Sequence, residues 1–175
     1  MNNKTAALRL LDEAIDSIQE DPVLIYAEVL LLDPHTNREK LDIRLRQLLE
    51  IEPNNPTYLN AYAYTLALQN RSLKEARKFA EYAIELAPDQ ASILDTLGFI
   101  TFLQNDFKAS ADALSKAYEL SNSLNIAVRY AKSLYMQGEL EKFEKIVQEL
   151  EQNYPNDPQL ESLHVLVLPQ QIKKS

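Results

Sequence analysis

Proline and its stand-ins recur along this chain at a spacing near 34 residues: Pro53, Pro88, Asn122 and Pro155 lie 35, 34 and 33 residues apart, and Pro22 precedes Pro56 by 34. Each marks a segment of one shape: "LLEIEPNNPTYL" at 48–59, "AIELAPDQASIL" at 83–94, "AYELSNSLNIAV" at 117–128 and "ELEQNYPNDPQL" at 149–160. Proline lacks an amide hydrogen and clashes with the preceding helical turn, so each unit reads as a helix that stops, a short polar turn, and a second apolar helix. A unit of that length exposes an apolar face that only a neighbouring unit can cover. The period therefore points to stacked helical hairpins.

Composition agrees. Of 175 residues 46% are apolar, enough for a sizeable core. The only glycines are Gly98 and Gly138, while Ala, Leu, Glu, Lys and Gln recur throughout, which suits helices and leaves few turns for strands. The net charge is -8, from 26 acidic and 18 basic residues, with no block of five Lys or Arg. Nucleic acid is not an expected partner, because displacing phosphate counterions takes clustered cations. Cysteine is absent, which removes thiolate metal sites, disulfides and cysteine nucleophiles.

Residues 1–10 lack the basic region and apolar run of a secretory leader. The longest apolar stretch, 23–32, is too short to span a bilayer, so no direct membrane insertion is expected. A soluble protein is expected, cytoplasmic, or periplasmic if the chain is a fragment of an exported one.

Leu94, Leu97, Gly98 and Thr101, with Ala117 and Asn122, form the clearest unit, "LDTLGFITFLQNDFKASADALSKAYEL". Tyr62, Ala63, Leu66, Ala76, Ala80, Ala83 and Pro88 carry the preceding one, and Tyr130, Ala131, Leu134, Gly138, Phe143, Val147, Leu150 and Pro155 the following one. This pattern resembles the tetratricopeptide repeat family, in its bacterial form. The resemblance implies an all-α fold, a right-handed superhelical solenoid of antiparallel helix-turn-helix hairpins with about ten helices.

On that register the chain is one array over 1–175: a half-repeat at 5–21, a divergent repeat at 22–55, clear repeats at 56–90, 91–123 and 124–157, and a terminal helix at 158–168. In the divergent repeat Val29 stands at the small position, Asp33 to Thr36 form an irregular turn, and Leu41, Leu45, Leu48 and Leu49 keep helical spacing. Gly98, Ala63 and Ala131 fall where, in the family, the helices of a hairpin approach closely. Gly138 follows Gln137 where a helix should stop and suits a left-handed C-cap. The run "LHVLVL" at 163–168 either packs back on the last hairpin or is the cut edge of a longer array.

No chemistry is expected: no catalytic residue, no cofactor and no metal. His35 sits in a turn and His164 in the last helix as a partly buried residue, far apart and without an HExxH-type pattern. Two isolated glycines cannot build a phosphate loop. The pairs Asp12 with Asp16 and Glu141 with Glu144 have the spacing of solvent-facing charge rather than of an acid and base driven apart by burial.

In the family the first helices line a concave groove. Carried over by register, the groove positions are Tyr26 and Leu30, Asn60 and Tyr64, Asp95 and Phe99, then Arg129, Lys132 and Tyr135, aromatic with a basic end. Tyr64, Phe99 and Tyr135 could equally serve as packing between adjacent first helices. Asn60 with Tyr64 and Asp95 with Phe99 depart from the Lys and Asn clamp that holds chaperone tails. The resemblance implies a non-catalytic scaffold that binds a protein or peptide segment in the groove. The alternatives are a self-assembling array, a homo-oligomer through its terminal half-repeats, or a docking or regulatory fragment of a larger envelope-assembly or secretion protein.

Overall fold

The computed structural model describes residues 3–18 and 20–166, and these form helices without a strand. Nine α-helices run in chain order: α1 (Asn3–Ser17), α2 (Pro22–Leu31), α3 (Arg38–Ile51), α4 (Pro56–Leu68), α5 (Leu73–Leu86), α6 (Ala91–Leu103), α7 (Phe107–Ser121), α8 (Leu124–Gln137) and α9 (Leu140–Asn153). A 3-10 turn, Pro158–Leu160, leads into a helical stretch at 161–166. The fold is all-α, built of antiparallel hairpins. Two compact units divide it, Met1–Ala87 with α1 to α5 and Pro88–Ser175 with α6 onward.

One starting device is used three times. Asp21, Asn55 and Asp157 each precede a proline at the first helical position and accept backbone amides of the first turn, from Val23, Thr57 and Gln159 at 2.9 Å. The side chain satisfies an orphan donor, and proline's fixed φ fits a position where no amide is needed.

One stopping device also recurs, inside the hairpins. Asn70, Asn105 and Gly138 follow α4, α6 and α8 in left-handed conformation, with φ of 49°, 61° and 86°. The next residue then donates back five positions at 2.9 Å in each case: Arg71 to Leu66, Asp106 to Thr101, Glu139 to Leu134. These bonds occupy carbonyls that the helix end would leave unpaired. Gly138 meets its sequence expectation. Asn70 and Asn105 do the same work without glycine, because Asn tolerates this conformation better than other side chains.

In the first unit, Ala76, Ala80 and Ala83 of α5 are fully buried, a small-residue stripe that lets α5 lie close on α4, where Tyr62, Ala63 and Leu66 are buried. The irregular turn is an Asx turn: the Asp33 carboxylate accepts amides of His35 and Thr36 at 2.9 Å, and Gln69 at the end of α4 donates to the Pro34 carbonyl at 2.9 Å.

Charge, not only apolar packing, joins α1, α2 and α3. Glu28 lies in the otherwise apolar α2 and is completely buried. Its carboxylate takes Lys40 at 2.5 Å and Arg44 at 2.6 Å, both from α3, while Asp12 of α1 pairs with Lys40 at 2.6 Å. This corrects the expectation for Asp12, which faces a cation cluster rather than solvent. The Lys40 ammonium beside it holds its carboxyl below the usual range. Asp16 is exposed as expected.

In the second unit Gly98 on α6 faces Leu114 on α7. A buried hydroxyl chain crosses three helices: Ser110 donates to the Gly98 carbonyl at 2.7 Å and lies 2.8 Å from the Ser133 hydroxyl. Leu160 and Leu163 join the buried cluster of Ala131, Phe143, Val147 and Leu150, so the terminal segment packs back on the last hairpin. Positions 167 and 168 of the expected terminal helix lie outside the described residues. His164, expected partly buried, is exposed and stands 3.1 Å from Glu151.

Candidate functional site

The expected groove residues collect in two clefts, one in each unit. In the first, Tyr26 and Leu30 of α2 face Asn60, Tyr64 and Leu68 of α4 across a floor that includes Leu41, around a cavity of about 270 Å³. Leu30 is 67% exposed at the edge of this cleft. The Tyr26 ring leans on Tyr58 at 5.2 Å, which fixes its orientation. Asn60 Oδ1 is buried and, among the described residues, accepts no hydrogen bond. Among the described residues, no charged side chain lines this cleft.

The second cleft encloses about 220 Å³ between α6, α7 and α8. Gly98, Phe99, Phe102 and Leu114 supply an apolar surface, and Arg129, Lys132 and Ser133 the polar part. The Arg129 guanidinium lies 4.9 Å from the centroid of Phe99 and donates to Asp95 Oδ2 at 2.8 Å. Burial pushes the Asp95 carboxyl above its usual range, against the opposing pull of Arg129, and its buried Oδ1 accepts no hydrogen bond among the described residues. Lys132 is half-buried, and among the described residues no ion pair holds it.

Thus Tyr26, Leu30, Asn60 and Tyr64 line one cleft, Phe99, Arg129 and Lys132 line the other, and Asp95 joins the second through Arg129. Tyr135 lines neither. Its ring meets Phe143 edge-on at 5.3 Å and packs against the α8–α9 core. Periodicity gives no sign of the Glu28 cluster or of the bond from the Tyr62 hydroxyl to Asp42 at 2.8 Å. The signals that could reveal the cluster are a lone Glu in the apolar α2 and cations four apart on α3, Lys40 and Arg44.

Both cavities fall below the roughly 300–1,000 Å³ of small-molecule sites and suit single side chains of a larger ligand. No helix among the described residues is long and apolar enough to cross a membrane. Fold and clefts together define an all-α helical-hairpin repeat protein.

Residues 101–165 match the family model described as tetratricopeptide repeat. A TPR repeat-containing protein of Pseudomonas aeruginosa is 30% identical over 113 residues, 65% of this chain and 19% of that protein, so the chain spans about a fifth of its curated relative. Among solved structures, MamA of Desulfovibrio magneticus RS-1, residues 41 to the end, superposes with a TM-score of 0.76 at 19% identity over 89% of each chain. A thermophilic TPR protein of Thermus thermophilus gives 0.75 at 17% identity over 94% of this chain and 90% of its own. YrrB, described as a TPR protein with an unusual peptide-binding site, gives 0.72 at 17% identity over 92% and 84%. Residues 101–165 thus match the tetratricopeptide repeat, and the chain is similar to proteins of that family in sequence and in fold.

Proposed function

We propose that this chain is a non-catalytic interaction module whose clefts, one on α2 and α4 and one on α6 to α8, each hold a peptide or protein segment. The observation that carries this is the convergence of Tyr26, Leu30, Asn60 and Tyr64 on one open cleft, with Leu30 left in solvent and Asn60 Oδ1 lacking a donor. An apolar cleft with a few fixed polar groups is what a side chain and its flanking backbone amide need. YrrB, a neighbour by fold, is described as having a peptide-binding site, which supports the same use here.

The test is partner capture by the intact chain and by a Tyr64→Ala, Phe99→Ala double variant. Capture should disappear while helicity and thermal unfolding stay near the parent values. A large loss of helicity would show that these rings serve packing instead.

A second function, self-association, is favoured by α1, where Ile15 is the one buried residue and Leu10 is 59% exposed, and by Ile18 just after it, 56% exposed. Light scattering at high concentration decides it, since a strictly monomeric chain excludes it. Docking within a larger protein would be the first activity in a longer chain, a setting consistent with the small share of the curated relative that matches.

A further inference from the structure

The two clefts differ in charge. The first is neutral throughout, so its selectivity lies in shape and in the Asn60 amide. In the second, Arg129 spends its charge on Asp95 and lies against the Phe99 ring. Lys132 lines the same cavity, is half-buried, and pairs with no carboxylate among the described residues. That is a costly arrangement, because a cation partly withdrawn from water loses hydration without a counter-charge in return.

The chain has 26 acidic side chains against 18 basic ones, yet none of the 26 is an ion-pair partner of this lysine among the described residues. Beside the ammonium, Gly98, Phe99, Phe102 and Leu114 make an apolar recess of about 220 Å³, room for one large apolar side chain.

We propose that the α6–α8 cleft takes an acidic-apolar segment of a partner protein: one leucine-like side chain in the recess, flanked by a side-chain carboxylate that pairs with Lys132. This rests on the peptide-binding function above and names the ligand class for one of its clefts. The carboxylate belongs to an internal Asp or Glu rather than to a chain terminus. A terminal carboxylate is fixed by several convergent donors, and here the fork of Arg129 is already engaged by Asp95, leaving one point-like ammonium.

The experiment is an amide-shift NMR titration of the full chain with capped heptapeptides, acetylated and amidated, that share a Ser and Gly frame around Glu-Leu-Glu, Gln-Leu-Gln, Lys-Leu-Lys or Glu-Ser-Glu. The expected result is that Glu-Leu-Glu shifts residues of α6 to α8 and binds about fivefold tighter than Gln-Leu-Gln, the scale of one partly exposed ion pair. Lys132→Gln should erase that preference, Lys132→Arg should restore it, and Glu-Ser-Glu should bind more weakly than Glu-Leu-Glu.

Equal binding of the acidic and amide peptides overturns the proposal, as does a preference that survives Lys132→Gln. If leucine peptides bind either cleft without regard to charge, the ligand class falls and the interaction function stands. If no peptide shifts either cleft, both fall.

Discussion

A β-carbon added to Gly98 would overlap Leu114 Cγ and come within 2.9 Å of Leu114 Cδ2. Leu114 is itself fully buried, so it has little room to move aside. Gly98→Ala should therefore cost about 1–3 kcal/mol, the range for overpacking a tight interior. Urea unfolding of the two proteins measures it, and an unchanged midpoint would mean that α6 and α7 can part at no cost.

The other glycine is needed for a different reason. Nothing lies within 4 Å of a β-carbon placed on Gly138, but its φ is +86°. Gly138→Ala should destabilise by about 1–2 kcal/mol through backbone conformation alone, and Gly138→Asn by less. Thermal melts of both variants check the order.

Glu28→Gln leaves Lys40 and Arg44 facing a buried group that no longer carries their counter-charge. A loss of about 3–5 kcal/mol is expected, the scale for breaking a buried pair from one side. Replacing Glu28, Lys40 and Arg44 together with apolar residues should cost less than Glu28→Gln alone. Chemical denaturation of the two variants compares them, and the reverse order would show that the cluster is a net source of stability.

Acid sensitivity has a traceable source in Asp42. Burial pushes its carboxyl up, but the Tyr62 hydroxyl at 2.8 Å, with Arg46 and Arg71, brings it below the usual range. A carboxyl depressed in the folded state adds stability that is complete above the unfolded value of about 3.9 and is lost as pH falls through the folded one. Tyr62→Phe removes one source of that depression. Its stability should fall less steeply between about pH 5 and pH 2 than the parent's, with a loss of about 1 kcal/mol at neutral pH. Denaturant titrations across that range test the slope.

The hairpin architecture is legible because proline stops helices locally, so its period survives in the sequence without knowledge of any contact. Gly98 and Gly138 are legible for the same kind of reason, one by its place in the repeat and the other by its place at a helix end. The inner turns at Asn70 and Asn105 are not, since Asn is common in many loops and only its φ reveals the equivalence with Gly138. Asp12 has the spacing of a solvent-facing charge because its partner lies 28 residues on, a distance over which helical spacing carries no information.

For the candidate site, register is enough to group Tyr26 with Leu30 and Asn60 with Tyr64, because each pair lies one turn apart on one helix. It cannot separate Tyr135 from them. That ring's position depends on the presence of Phe143 on the next helix, and spacing alone does not say which of two neighbours a ring turns toward. Nor can it show that, among the described residues, Arg129 has an ion-pair partner and Lys132 has none, a distinction that decides the chemistry of the second cleft.

The bend inside the α4–α5, α6–α7 and α8–α9 hairpins is set by a backbone geometry rather than by one amino acid, since Asn70 and Asn105 make the turn that Gly138 makes. Such a joint can change its residue without changing its angle. Drift at these sites is then mechanically silent, and a chain jointed this way can shed most of its recognisable letters while every helix still folds back on its partner.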